Sequence, residues 1–170
     1  SLWSDAAAKA PASFRAQSNA GLALLENGQS AAGLRVLEGA VRLNPDYAKT
    51  WNNLGLAYGE NGQGEKAEIA YAKALELDPQ LAGPLNNLAR RRLRAGQLEE
   101  AAALLQRALD NDPYYAEAQI NLGRVWQEKG NRDKALQAYT AAVALEPGWA
   151  AAHNNLGMAY IEAGRLVQGL

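Results

Sequence analysis

The stretch Trp51-Asn52-Asn53-Leu54-Gly55-Leu56-Ala57-Tyr58 decides the fold of this chain. Its large apolar residues Trp51, Leu54 and Tyr58 stand at i, i+3 and i+7, which places them on one face of a helix. Gly55 lies beside this apolar stripe, and its missing side chain lets a second helix approach to about 8–10 Å between axes. The stretch therefore predicts the first helix of a tightly packed helix pair.

The same pattern recurs every 34 residues along the chain. Three columns of the repeat hold one residue type in five copies: Asn19, Asn53, Asn87, Asn121 and Asn155; Gly28, Gly62, Gly96, Gly130 and Gly164; Pro11, Pro45, Pro79, Pro113 and Pro147. The glycine suits a turn between two helices, because it adopts left-handed backbone conformations without steric cost. The proline ends each pair, since it cannot continue a helix. A strict period of this length predicts a solenoid whose neighbouring repeats share one long core.

These columns resemble the tetratricopeptide repeat, whose unit is two antiparallel helices. The stretch 51–58, followed by Ala67, Tyr71, Ala74 and Pro79, matches nearly every signature position of that unit. The resemblance covers the whole chain. It implies an all-α fold, an α-solenoid of 34-residue helix-turn-helix units that form a right-handed superhelix.

The period predicts a single domain over residues 1–170. Counted from Phe14, it contains a partial second helix at 1–13, four complete repeats at 14–47, 48–81, 82–115 and 116–149, and a partial fifth repeat at 150–170. One interpretation is a fragment of a longer protein, because solenoid ends normally carry polar caps. Another is head-to-tail self-association through the partial end repeats, since their 13 and 21 residues together make one repeat.

Composition limits the partners that we expect. The 170 residues carry a net charge of −1, which predicts no general attraction to nucleic acid or to an anionic membrane surface. No segment approaches the roughly 18 consecutive apolar residues of a membrane-spanning helix, so we expect no direct membrane insertion. The chain has no cysteine, which excludes disulfides and thiolate metal sites. We predict no cofactor, and the composition leaves the compartment open.

The asparagine column indicates a binding function. Asparagine is a poor helix former, yet five copies stand at the sixth position of successive repeats, and Asn52, Asn86 and Asn154 stand beside them at the fifth. A side-chain amide donates and accepts hydrogen bonds, so it can pair with a peptide backbone regardless of sequence. Repeats about 10 Å apart would supply one amide for about every three residues of an extended ligand. The alternative is that these amides bond neighbouring helices and stabilise the stack.

The tetratricopeptide resemblance adds a location to this hypothesis. It places the second, fifth, sixth, ninth, twelfth and thirteenth positions of each repeat in a concave groove that the first helices form. The column is similar to the asparagine ladder of O-linked N-acetylglucosamine transferases and of kinesin light chains, which hold extended peptides. The resemblance therefore implies a protein-interaction scaffold whose partner is a protein or peptide.

A basic contact is predicted beside the asparagines. Arg90 and Arg124 share the ninth position of adjacent repeats, which the resemblance places in the groove. We expect these two guanidinium groups to bind an acidic segment of the ligand. The alternative is a solvated helix face, because Arg90 begins the run Arg90-Arg91-Arg92 and a charge run usually faces solvent.

The sequence contains no constellation that predicts catalysis. Its single histidine, His153, falls in the column of Trp51 and Leu85, which indicates a packing or surface role. There is no histidine pair and no glycine-rich phosphate loop between a strand and a helix. We predict that the chain is not an enzyme.

A second resemblance concerns the N-terminal residues. Leu2-Trp3-Ser4-Asp5, Lys9, Pro11 and Arg15-Ala16 resemble the entry into the repeats of bacterial O-mannosyltransferase-like membrane proteins, although Gln17-Ser18-Asn19-Ala20-Gly21 departs from the usual Asn-Asn-Leu-Gly run. This resemblance implies an accessory repeat domain of a membrane glycosyltransferase, located outside the cytoplasm. A structural solenoid that self-assembles head to tail is the other alternative to the peptide-binding scaffold.

Overall fold

The computed structural model describes residues 13–162 and residue 164, and all regular structure within them is α-helical. Nine helices occupy this described part: α1 Phe14–Glu26, α2 Ser30–Leu43, α3 Ala48–Glu60, α4 Gly64–Leu77, α5 Ala82–Arg94, α6 Leu98–Asn111, α7 Ala116–Glu128, α8 Arg132–Leu145 and α9 Ala150–Glu162. The prediction of an all-α helical repeat solenoid is confirmed. The odd-numbered helices begin at the first residues of the predicted repeats, and the even-numbered helices are their second helices.

The chain forms two compact units, and the boundary lies between Pro84 and Leu85. In unit 1, which ends at Pro84, α1 packs against α2, α3 packs against α4, and α3 also contacts α1 and α2. In unit 2, which begins at Leu85, α7 packs against α6, α8 and α9, and α8 packs against α9. The predicted single domain stays a prediction, and the predicted partial helix at 1–13 lies, apart from Ser13, outside the described residues.

The glycine turns have the geometry that the sequence predicts. Gly62 has φ 73°, and the backbone N–H of Gln63 donates to the carbonyl of Tyr58 at 2.8 Å. Gly130 in unit 2 also has φ 73°, and Asn131 donates to Trp126 at 2.8 Å. These hydrogen bonds satisfy carbonyls at the end of the first helix and reverse the chain toward the second.

A tyrosine ring fills the space over the first-helix glycine in the pairs α3–α4 and α7–α8. A Cβ atom built on Gly123 would lie 2.5 Å from Cε1 of the Tyr139 ring, and one built on Gly55 would overlap the ring of Tyr71. Tyr139 is fully buried and belongs to the core of unit 2. Burial of such rings contributes to the apolar contact between paired helices.

Gly157 in α9 differs from these glycines, because no heavy atom of the described residues lies within 4 Å of a Cβ built there. We therefore expect Gly123→Ala to lower the free energy of unfolding by about 1–3 kcal/mol, because the Tyr139 ring must move. Gly157→Ala should leave it unchanged or raise it by up to about 1 kcal/mol, since alanine is the better helix former.

Urea denaturation followed by circular dichroism compares the two variants with the unmodified chain. Equal losses of stability in both variants would contradict the packing described for Gly123. The two substitutions remove the same residue type from a first helix, so each is the control for the other.

Candidate functional site

The first helices of unit 1 form a cavity of about 360 Å³ that collects most of the predicted groove residues of this unit. The lining residues are Arg15, Ser18, Asn19 and Leu22 from α1, Lys49, Asn52 and Asn53 from α3, and Tyr47 and Leu81 from the segments that precede helices. The residues from α1 are spaced so that they share one face of that helix, and the same holds for α3. We call this the unit 1 cavity.

Two cations at the unit 1 cavity have no counter-charge among the described residues. Arg15 and Lys49 are both exposed, and neither forms an ion pair with any described residue. The Arg15 guanidinium lies 5.6 Å from the Phe14 ring centroid and 5.4 Å from that of Tyr47. These cation–π contacts hold the guanidinium at the cavity while its N–H donors stay available. The sequence analysis missed both cations, although they share the second position of adjacent repeats.

The predicted asparagines of unit 1 are in different environments. Asn19 is exposed and forms no hydrogen bond with a described residue. Asn53 is half-buried, and its Nδ2 donates to Ser18 Oγ at 3.2 Å. Asn52 is half-buried at the wall of the unit 1 cavity. Three predicted ligand-binding amides are therefore brought together beside Arg15 and Lys49.

In unit 2 the residues at the equivalent positions are bonded to one another in a network within the unit. Asn121 Nδ2 donates to Asn86 Oδ1 at 2.8 Å, and Asn86 Nδ2 donates to the Tyr115 hydroxyl at 3.2 Å. Tyr115 in turn donates to Glu117 Oε2 at 3.5 Å, and Arg90 Nη1 lies 3.4 Å from Glu117 Oε1. Asn86 is fully buried and Asn121 is 4% exposed. The predicted basic residue Arg90 is thus already paired with a carboxylate of the same unit.

The tyrosine in this network is a hydroxyl donor at neutral pH. Burial, with a smaller contribution from the nearby Glu117 carboxylate, raises the pKa of Tyr115 to about 12. The protonated form can accept the hydrogen bond from Asn86 and donate one to Glu117. Each member of the network from Asn121 to Arg90 therefore has a partner, which is what burial of polar groups requires.

The same hydrogen-bonding pattern occurs among the asparagines within each unit. A sixth-position amide donates to the fifth-position residue of the preceding repeat, as Asn53 does to Ser18 and Asn121 does to Asn86. The fifth position that precedes Asn155 is Ile120, which has no acceptor in its side chain. Asn155 forms no hydrogen bond within the described residues. The hypothesis that asparagines stabilise the stack therefore has direct contacts at Asn53 and Asn121.

The remaining predicted site residues can be placed individually. Asn87 is 8% exposed, Asn155 is half-buried, and Asn154 and Arg124 are exposed. Their predicted role in peptide binding stays a prediction. His153 is also exposed, and its Nε2 lies 2.8 Å from the carbonyl oxygen of Pro147. Trp51 stands in the same column of the repeat, and its Nε1 donates to the carbonyl oxygen of Pro45 at 2.6 Å.

Two further features concern the described residues only. Every helix between residues 13 and 162 is too short or too polar to span a bilayer. No three potential metal ligands cluster together in this part of the chain.

Family models for the tetratricopeptide repeat match most of the chain. One model matches residues 18–82 and 127–169, and a second model matches residues 92–139. The chain belongs to the tetratricopeptide repeat family. The search of curated protein sequences found no match to this tetratricopeptide repeat protein.

Solved structures of other repeat proteins share the fold. The pilF structure from Pseudomonas aeruginosa has a TM-score of 0.80 at 21% identity, over 89% of this chain and 69% of that one. TTC0263, a thermophilic tetratricopeptide repeat protein of Thermus thermophilus, has a TM-score of 0.76 at 26% identity, over 90% and 84%. YrrB, a protein of this family with an unusual peptide-binding site, has a TM-score of 0.64 at 21% identity, over 98% and 86%. At their identities, pilF and YrrB indicate the fold alone.

Membership of this family supports an interaction scaffold with protein or peptide partners, a type of protein that is typically not enzymatic. The resemblances to O-linked N-acetylglucosamine transferases and to O-mannosyltransferase-like proteins stay predictions.

The hydrogen bond between Asn121 and Asn86 should contribute to stability, because both side chains are buried. We expect Asn121→Ala to cost about 1–3 kcal/mol, since Asn86 Oδ1 is left without its donor. The double variant Asn86→Ala, Asn121→Ala should lose less than the sum of the single losses, by about 0.5–3 kcal/mol. Chemical denaturation of the four proteins measures this coupling.

The matched control is Asn155→Ala, which removes a sixth-position amide that has no hydrogen bond to a described residue. It should change the free energy of unfolding by no more than about 0.5 kcal/mol. Additive losses at Asn86 and Asn121 would refute a stabilising role for their hydrogen bond.

Proposed function

We propose that this chain is an interaction scaffold that binds an extended acidic peptide, and that the unit 1 cavity is the principal binding site. The observation that carries the proposal is the combination of cations without counter-charges and accessible amides in one cavity. Arg15 and Lys49 supply the charge, and Asn19 and Asn53 supply amide groups that a ligand can contact.

The two cations favour a carboxylate ligand. A hydrogen bond between a cationic donor and a carboxylate is about twice as strong as a neutral one. The aromatic rings of Phe14 and Tyr47 hold the Arg15 guanidinium in place, which reduces the side-chain entropy that binding would otherwise cost. Lys49 is exposed, so its contribution should depend on ionic strength.

The amides favour a peptide backbone over other acidic ligands. Asn19 has both its donors and its acceptor available within the described residues. Asn53 uses one N–H of its amide for Ser18, and its second N–H and its oxygen can contact a ligand. Such contacts are independent of the ligand's side chains, so we propose that the amides hold the backbone and that the cations select acidic residues.

This proposal moves the acidic preference from Arg90 to Arg15 and Lys49. A ligand carboxylate at Arg90 would have to compete with Glu117, which lies within 3.4 Å of the guanidinium. Arg124 is exposed and keeps its predicted role as a contact for acidic residues.

We propose no catalytic role for the chain. His153 is engaged with the carbonyl of Pro147, and no carboxylate among the described residues hydrogen-bonds to its ring. Head-to-tail self-association and a role as an accessory domain of a membrane glycosyltransferase stay predictions. The residues on which they depend, 1–12 and 165–170, lie outside the described residues.

The charge selection can be tested with labelled twelve-residue peptides built from Asp, Ser and Gly, compared with matched peptides that carry Asn in place of Asp. Fluorescence anisotropy at low salt should show tighter binding of the acidic peptides. In the double variant Arg15→Gln, Lys49→Gln, the ratio of the neutral-peptide to the acidic-peptide dissociation constant should fall roughly tenfold, because two charge-assisted contacts are removed.

The control is Arg35→Gln with Arg107→Gln, the same charge change at exposed positions of second helices. This control should keep the acidic preference apart from a small loss of long-range attraction. Asn19→Ala should weaken the binding of acidic and of neutral peptides by the same factor. Equal losses in the control variant, or no acidic preference in the unmodified chain, would refute the proposal.

A further inference from the structure

We infer that unit 2 carries a second peptide-binding site, which takes a large aromatic side chain and a carboxylate of the same ligand. The site is a cavity of about 430 Å³ formed by α6, α7 and α8, a volume within the range of ligand pockets. The argument uses six of its lining residues: Gln106, Leu109, Gln119, Leu122, Trp126 and Lys134. We call this the unit 2 cavity. It goes beyond the proposed function, because it shares no residue with the unit 1 cavity.

The unit 2 cavity lies on a different face of the first helix from the asparagine column. Gln119, Leu122 and Trp126 are three and four residues apart, so they share one face of α7. In unit 1 the equivalent face packs toward the preceding second helix, where Leu54 belongs to one core cluster with Leu37 of α2. A ligand in the unit 2 cavity therefore contacts side chains that face second helices.

Unit 1 contains the same groove, formed by α2, α3 and α4, with different residues at several positions. Residues two repeats apart in the chain occupy equivalent places in the two grooves, and four pairs matter: Glu38 and Gln106, Trp51 and Gln119, Tyr58 and Trp126, Lys66 and Lys134. The groove of unit 1 therefore shows which groups fit together in this part of the fold.

In unit 1 the chain fills this groove with its own side chains. The Trp51 indole packs against the core of the unit, and its Nε1 donates to the carbonyl oxygen of Pro45 at 2.6 Å. The Tyr58 hydroxyl donates to Glu38 Oε1 at 3.1 Å, and Lys66 Nζ lies 5.5 Å from the centroid of the Tyr58 ring. An indole, a carboxylate and an ammonium group thus lie in one groove.

Unit 2 lacks the indole and the carboxylate at these positions and keeps the ammonium group. Gln119 is smaller than tryptophan, and its amide forms no hydrogen bond with a described residue. Gln106 has no charge, and its Nε2 donates at 3.0 Å to Asp110, a carboxylate that does not line the cavity. Lys134 Nζ lies 4.3 Å from the centroid of the Trp126 ring. The two groups that unit 2 lacks are the ones that we assign to the ligand.

Lys134 supplies a positive charge that no described residue neutralises. Its side chain is exposed and forms no ion pair within the described part of the chain. Lys129 lies 5.2 Å from the same Trp126 ring but is paired with Glu99 at 3.0 Å. The ring holds the Lys134 ammonium group at the cavity and leaves its charge unchanged. Lys134 therefore favours a carboxylate of the ligand.

The vacant place of the indole favours a large aromatic side chain. Leu109 and Leu122 line the cavity and are buried, so they offer apolar carbon to a ring. The carbonyl oxygen of Pro113, the counterpart of Pro45, accepts no hydrogen bond from a described residue. A tryptophan of the ligand would supply both the apolar ring and the N–H donor that Trp51 supplies in unit 1.

The test uses labelled twelve-residue peptides of Ser and Gly that carry one Trp and one Glu, separated by one to four residues. Fluorescence anisotropy measures their binding to the double variant Arg15→Gln, Lys49→Gln, in which the unit 1 cavity has lost its cations. Replacing Trp by Ala in the best peptide should weaken binding roughly tenfold, because the burial of an aromatic ring is lost. Replacing Glu by Gln should weaken it about two- to fivefold, since Lys134 is exposed.

Two further variants in the same background assign these effects to the unit 2 cavity. Gln119→Trp introduces the residue that unit 1 has in this column and should weaken the best peptide by roughly tenfold or more. Lys134→Gln should bring the ratio of the Gln-peptide to the Glu-peptide dissociation constant to about one. Circular dichroism verifies that each variant is folded.

Each variant has a matched control. Gln29→Trp makes the same change at an exposed turn residue whose side chain forms no cap hydrogen bond. Lys66→Gln makes the same change at the counterpart of Lys134 in unit 1. Both controls should bind the best peptide as the background protein does and should keep its preference for Glu.

The outcomes separate this site from the unit 1 cavity. If the replacement of either Trp or Glu in the best peptide has no effect, the inference is refuted. Equal weakening in Gln119→Trp and Gln29→Trp would overturn it as well. The acidic preference of the unit 1 cavity is measured on the unmodified chain with peptides that contain no aromatic residue, so either proposal can fail while the other stands.

Discussion

The close approach of two helices across a glycine is the constraint on which the rest of the structure depends. The rings of Tyr71 and Tyr139 lie where the Cβ atoms of Gly55 and Gly123 would be. This packing buries one face of α3 against α4 and one face of α7 against α8. The polar residues on the other faces of the first helix are left to contact a neighbouring repeat or a ligand. The asparagines occupy such a face, which is why one residue type can serve both purposes.

Stacking and ligand binding compete for the same amide groups. An asparagine side chain offers two N–H donors and one oxygen acceptor, and each hydrogen bond made within the protein removes a group from a ligand. In unit 2 the Asn86 and Asn121 amides are buried and bonded to each other. A ligand would have to break that contact and would gain little net free energy, since it exchanges one hydrogen bond for another. In unit 1 Asn19 has no such contact with a described residue to give up.

The sequence predicted the fold more completely than the site, for a physical reason. The period of 34 residues and the glycine and proline columns determine where helices begin and end, because those signals act on the local backbone. The pairing of Asn121 with Asn86 depends instead on how adjacent repeats align, which a column of identical residues does not express. The column that precedes the asparagines contained one usable signal, since Ile120 cannot accept a hydrogen bond there. Arg15 and Lys49 were missed although the second position was expected in the groove, because later repeats hold Gly83 and Glu117 there and the column shows no uniform charge.

A basic residue can attract an acidic partner only if no neighbouring carboxylate neutralises its charge. Arg90 and Arg15 are both arginines on first helices, but Arg90 lies 3.4 Å from the Glu117 carboxylate, whereas Arg15 lies over two aromatic rings. An aromatic ring stabilises the guanidinium and leaves its net charge unchanged, whereas a carboxylate cancels that charge at any distance beyond a few ångströms. Arg15 and Lys49 therefore keep their charges for a ligand that reaches the unit 1 cavity, while salt screens those charges at longer range. Sequence shows where arginines occur, and the side chains packed around them determine whether their charge is available to a ligand.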